Sequence, residues 1–167
     1  MKKELLWKGY FPLPTSINET YIFGKHGVVL TQNAKTFCSY ANAIIANERL
    51  GNKNLKGWLE IVVLIRLPPA LKKKDSSSAD AHNYHKLILD VLQDNKVYAN
   101  DCMISPVIVG FGDETNVPIR QINYIKKRAS GNVAVNINGG CTVLIYQSTA
   151  EGIGDSSSTH DIPEISY

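Results

Sequence analysis

Apolar runs along the chain are short, and Pro, Gly and polar clusters break them at regular intervals. Residues 5–13 read as a first strand that ends at Pro12 and Pro14, and residues 14–18 as a turn or extended loop. Tyr21-Ile22-Phe23 and Val28-Val29-Leu30, split by Gly24-Lys25-His26-Gly27, predict a tight hairpin over 19–30. From Asn33 to Leu50 apolar residues recur at Phe37, Tyr40, Ala41, Ile44 and Ile45, the spacing of one helix face, with Thr31 placed as its N-cap.

After a loop at 51–57, residues 58–67 are aliphatic and β-branched and predict a central strand, closed by Pro68-Pro69. Residues 70–79 are a polar, basic loop. Residues 83–94 predict a helix that turns Leu87, Ile88, Val91 and Leu92 inward, with Asn95 ending it. Val97-Tyr98-Ala99 reads as a short strand and Ile104 to Phe111 as another. Asn138-Gly139-Gly140 suits a hairpin turn between closing strands at 132–137 and 141–147. The fold class is therefore α+β: a mixed β-sheet with two main helices packed on it. One domain, residues 1–148, is expected, then a Ser-, Gly- and Asp-rich tail at 149–167. A basic insertion at 112–131 contains Lys126-Lys127-Arg128.

Composition changes this picture little. Hydrophobic residues at 44% and charged residues at 20% supply a core and exclude global disorder. The formal net charge of +3 is mild, so the placement of basic residues carries more meaning than their sum. Cys38, Cys102 and Cys141 are widely spaced and form no C-x-x-C pair, which argues against a disulfide framework or a zinc site and for a reducing cytosol. Lys8, Gly9 and Pro12 interrupt the N-terminal apolar stretch, and the longest aliphatic run, Ile61 to Ile65, is too short for a bilayer. A cytoplasmic protein without membrane contact is expected.

Candidate chemistry lies between Asp80 and Asp101. A helix from Tyr84 to Asp94 rises about 16 Å at 1.5 Å per residue. An extended return from Lys96 to Asp101 covers about 20 Å at 3.3 Å per residue. If the return runs antiparallel to the helix, Asp101 arrives level with Asp80, and Lys86 lies in the first turn beside them. Two carboxylates and an ammonium group suit a divalent cation that binds and activates a phosphodiester. From spacing alone the plainer reading comes first: an acid at a helix N-terminus and an exposed helical lysine.

The wider pattern narrows the choice. Asp80-Ala81-His82-Asn83-Tyr84-His85-Lys86, the apolar helix carrying Asp90-Val91-Leu92, and Tyr98-Ala99-Asn100-Asp101 resemble the RusA family of Holliday-junction resolvases. That family's pattern is Asp-x-Asp-Asn-x-x-Lys, a helix with Asp-x-Leu, and an aromatic before paired aspartates. Pro12-Leu13-Pro14-Thr15-Ser16-Ile17-Asn18, Tyr21, the glycine-bearing hairpin and the helix opening at Thr31 are similar to its N-terminal half.

The resemblance implies a divalent-metal-dependent endodeoxyribonuclease that resolves four-way DNA junctions in recombination and repair. It implies Mg²⁺ or Mn²⁺ as cofactor and a homodimer as the working form. Asp80, Lys86 and Asp101 would be catalytic, and Asp80, His82 and Asp101 would hold the metal. DNA would be held by Lys72, Lys73, Lys74, Lys25 and Asn83. Two departures stand out. His82 replaces the second aspartate of the first motif, and Asn100 the first of the distal pair. Imidazole favours Mn²⁺ over Mg²⁺, so a site tilted toward Mn²⁺ is one expectation. A non-cleaving junction-binding relative is the alternative, and an unrelated scaffold domain a third.

Overall fold

The computed structural model of the chain describes residues 3–68, 80–112 and 139–148. Its strands are β1 (Glu4–Phe11), β2 (Tyr21–Gly24), β3 (Gly27–Leu30), β4 (Leu59–Arg66), β5 (Ile104–Phe111) and β6 (Gly140–Gln147). Its helices are a single turn, α1 (Ile17–Thr20), and two long ones, α2 (Gln32–Asn47) and α3 (His82–Asp94). The main sheet has the order β1-β6-β4-β5, while β2 and β3 form a separate hairpin. β6 is antiparallel to β1 and β4, and β4 is parallel to β5. The sheet is thus mixed, and the architecture is α+β.

Why these segments take these forms follows from what they bury. On β4, Leu59, Ile61, Val63 and Ile65 are the alternate residues of one face and are at most 1% exposed. Against them pack Phe37, Tyr40, Ile44 and Ile45 from α2 and Leu87, Ile88, Val91 and Leu92 from α3, in one contiguous core. Thr31 fixes the start of α2: its Oγ1 accepts from the Ala34 N–H at 3.3 Å and donates to the Glu19 carbonyl at 2.8 Å. Its own N–H donates to the Thr20 carbonyl at 2.9 Å, so it closes the base of the β2–β3 hairpin.

Parallel pairing of β4 with β5 demands a crossover, and α3 supplies it. Leu59 pairs with Ile104, start against start, so the chain leaving α3 must return to the beginning of β4. That return is braced from α2. Asn95, at the C-terminal end of α3, donates to Asn42 Oδ1 and to the Val91 carbonyl, each at 2.7 Å. A Cβ at Gly51 would stand 2.5 Å from the Asn95 carbonyl oxygen. Gly51→Ala is therefore expected to force the two segments apart and lower stability by about 1–3 kcal/mol, read as a fall in the denaturant midpoint.

The hairpin, both long helices and the strands at 58–67, 104–111 and 141–147 match their sequence expectation to within a few residues. Three details differ. Residues 17–20 form a helical turn where the end of the 14–18 loop and the start of the hairpin are expected, because the Ser16 carbonyl accepts both the Glu19 N–H and the Thr20 hydroxyl. The loop at 51–57 begins inside a 3-10 turn, Leu50–Lys53. Residues 97–99 make a single parallel bridge, Tyr98 with Leu55, and no strand. The strand at 132–137, the basic loop at 70–79, the insertion segment beyond residue 112 and the tail lie outside the described residues. Among the described residues no helix is long and apolar enough to cross a membrane.

Candidate active site

The sequence-predicted residues fall into two groups along α3. The first is at its N-terminus. The exposed Asp80 carboxylate accepts the His82 N–H at 2.9 Å, where the free amides and the positive end of the helix dipole favour an anion. The Asn83 N–H donates to the Asp80 carbonyl at 3.0 Å. His82 and His85 meet edge to face with ring centroids 5.9 Å apart, and His85 Nδ1–H donates to the His82 carbonyl at 2.6 Å.

The second group lies further along the helix. Positions 86, 90 and 93 share one face by helical spacing. Lys86 Nζ pairs with Asp90 Oδ1 at 3.1 Å, the ion pair their spacing predicts. With its amide turned nitrogen-inward, Gln93 donates to both Asp101 carboxylate oxygens, at 2.7 and 3.2 Å. Asn100 holds the 3-10 turn Asp101–Met103, its side chain accepting the Cys102 N–H at 3.2 Å. Beneath them Tyr98 is buried to 1% exposure, and its hydroxyl donates to the Leu89 carbonyl at 2.8 Å.

Electrostatics ties this group together. The hydrogen bond and charge of Asp90 hold the Lys86 ammonium above the ordinary lysine range, and Tyr21 and Asp101 add to the effect. Its positive charge is therefore retained as pH rises through neutrality and beyond. Lys86 is thus suited to stabilising negative charge and unsuited to accepting a proton near neutral pH. Burial, with the nearby Asp101 and Asp90 charges next in weight, pushes the Tyr98 phenol far above its usual range. Tyr98 acts here as a neutral post under Asp101.

The expectation that Asp101 returns level with the helix N-terminus is corrected. Lys96 turns back at a positive φ of 57°, the Val97 N–H bonds the Leu92 carbonyl, and the Val97 carbonyl accepts the Leu55 N–H. The chain therefore reaches residue 101 beside the second half of α3 and runs antiparallel to the helix only afterwards, as β5. Asp101 is thus held by Gln93, in the last turn of α3, while the Asp80 carboxylate is engaged at the start of the helix. Among the described residues no three His, Cys, Asp or Glu side chains could hold one cation. Lys86 belongs to the second turn, with Asp101 and apart from Asp80. Lys25 lies in the exposed hairpin turn, and Lys72, Lys73 and Lys74 lie outside the described residues.

Gln93 as a partner of Asp101 escapes the sequence. Its one signal is its position seven residues after Lys86, on the same helix face. The proximity of Tyr21 to Lys86 depends on α1 packing against α3, which no local pattern encodes.

The family model described as Endodeoxyribonuclease RusA matches residues 12–137, a span that contains both groups. No curated protein matches the chain.

Proposed function

We propose, from the premise that the chain belongs to the RusA endodeoxyribonuclease family, that it hydrolyses phosphodiesters of four-way DNA junctions with the help of a divalent cation. The observation that carries this reading is the face of α3 that presents Lys86, ion-paired with Asp90, and Gln93, bonded to Asp101, within the matched span. A phosphodiester brought to that face meets a fixed ammonium charge where its own negative charge develops.

In kind, the carboxylates fit Mg²⁺ or Mn²⁺, which accept one or two carboxylates with water and phosphate oxygens completing the shell. In number, the described residues of one chain fall short of a closed set. Asp80, His82 and Asp101 are the side chains that would hold the cation. When bound, it neutralises phosphate charge and makes water a better nucleophile. Asp90 keeps Lys86 protonated and oriented, while Gln93 and Tyr98 fix Asp101. Lys25 and Asn83, together with Lys72, Lys73 and Lys74, are assigned to DNA.

The spread of the two groups along α3 supports a homodimer in this reading. A two-fold partner with its helix antiparallel would lay Asp80 of one copy toward Asp101 of the other, and twofold symmetry also suits a junction cut on two strands. His82 gives a separate expectation: junction nicking should be faster in Mn²⁺ than in Mg²⁺, and His82→Asp should shift the preference toward Mg²⁺. Equal rates in both metals would remove the ligand role of His82.

The test of the function is a labelled synthetic four-way junction beside a linear duplex of the same sequence. Metal-dependent nicking selective for the junction establishes the nuclease. Junction binding without nicking in either metal identifies a non-cleaving relative, the reading that His82 and Asn100 would then explain. Neither binding nor nicking ends the junction reading.

A further inference from the structure

Apart from Leu30, which packs against the core, the β2–β3 hairpin is accounted for neither by the core nor by the hydrolytic groups. Its pairs are Tyr21 with Leu30, Ile22 with Val29, Phe23 with Val28 and Gly24 with Gly27. Tyr21, Ile22, Phe23, Val28 and Val29 are all exposed, and Phe23 at 92% is the most exposed large apolar side chain among the described residues. A two-stranded hairpin with apolar residues on both faces has little stability of its own in water, and such patches mark surfaces that meet something else.

Position and charge identify the partner. Strand alternation puts Tyr21 and Phe23 on one face, about 7 Å apart, with Leu30 and Val28 beside them. α1 packs against α3 and leads directly into β2, which sets Tyr21 near enough to Lys86 for the two to interact electrostatically. The face that begins beside Lys86 therefore continues outward to Phe23. Between Thr20 and Leu30 there is no acidic residue, and the turn carries Lys25 and His26. That sequence is fitted to a polyanion at its tip and to a flat apolar ligand on its blade.

We propose that the hairpin is a base-stacking arm: Phe23, flanked by Val28, takes the face of an unstacked nucleobase next to the phosphodiester presented to Lys86, while Lys25 and His26 hold the flanking phosphates. The arm rests on the nuclease reading and deepens it. A paired base in continuous duplex presents no free face, whereas a branch point does. Phe23 then selects opened DNA, and the basic tip adds affinity indifferent to sequence.

The test compares Phe23→Ala, Phe23→Leu and Phe23→Trp in the full chain. Phe23 is exposed, so these variants are expected to fold, and thermal melts check it. Binding is measured to a four-way junction carrying 2-aminopurine at the branch and to the linear duplex, with sedimentation for oligomeric state. Phe23→Ala and Phe23→Leu are expected to lose roughly 5- to 100-fold in junction affinity, along with the 2-aminopurine response, while duplex binding holds. Phe23→Trp keeps both. Junction affinity unchanged in Phe23→Leu overturns the arm, as does an equal loss on duplex and junction. A drop in sedimenting mass overturns it too and assigns the surface to a second copy. Nicking by the wild type, with junction binding unchanged in every Phe23 variant, removes the arm alone. A wild type that neither binds nor nicks removes the arm and the nuclease reading together.

Discussion

Asp101→Asn is expected to lower the single-turnover rate of junction nicking by about a thousandfold or more, while junction binding stays within a fewfold of wild type. The change keeps the shape of the side chain and removes its charge. A carboxylate that holds a cation at the scissile phosphate contributes several kcal/mol of transition-state charge stabilisation, and each 1.36 kcal/mol is about a factor of ten in rate. In the proposed function binding draws mainly on lysine contacts to phosphate, which the variant leaves intact. Gln93→Leu is the companion variant: it keeps the carboxylate but removes its donor, so about a tenfold loss is expected, of the size typical for a group that orients a ligand. The measurement is quenched-flow nicking of labelled junction beside a gel-shift titration. A near wild-type rate in Asp101→Asn would strike this acid from the mechanism.

Mixing Asp80→Asn with Asp101→Asn is expected to recover nicking that neither variant shows alone. The expectation rests on the separation of the two acids along α3, one on the first N–H of the helix and the other beside Gln93. If each site draws one acid from each copy, a mixed dimer carries one site with both variants and one with neither. Random exchange puts about half of the dimers in the mixed form, each with one intact site of two. About a quarter of the wild-type site concentration is then restored, read as first-strand nicking. An inactive mixture, in dimers shown to exchange, would mean that each chain assembles its own site.

Much of the fold was legible because its signals are local. The period of Phe37, Tyr40, Ile44 and Ile45 marks a helix face, Pro68-Pro69 stops β4, and Thr31 caps α2 whatever surrounds them. Asp80, Lys86 and Asp101 could be named as candidates only through the spaced resemblance to the RusA pattern, whereas the Lys86–Asp90 pair was legible from helical geometry alone. The register of Asp101 was not. It depends on β5 starting beside Leu59 and on the bridge between Leu55 and Tyr98, both contacts between distant segments. A length estimate for an extended return could not foresee a backbone that turns sharply at Lys96. The hairpin was legible as a hairpin, but alternation alone does not tell an exposed apolar blade from a buried one.

Thr31 gives the hairpin a mechanical character. It is clamped where the strands end, by bonds to Glu19 and Thr20 on one side and to the first turn of α2 on the other, while the blade beyond has no clamp of its own in the core. It is a cantilever: load at the tip produces its largest bending moment at the root. Thr31→Val, which keeps the side-chain shape and deletes the hydroxyl, should leave every residue of the blade in place and still widen the arc it sweeps. Compliance at the tip would then be set about 14 Å from it, at roughly 3.4 Å per strand residue, by a side chain that never meets the ligand.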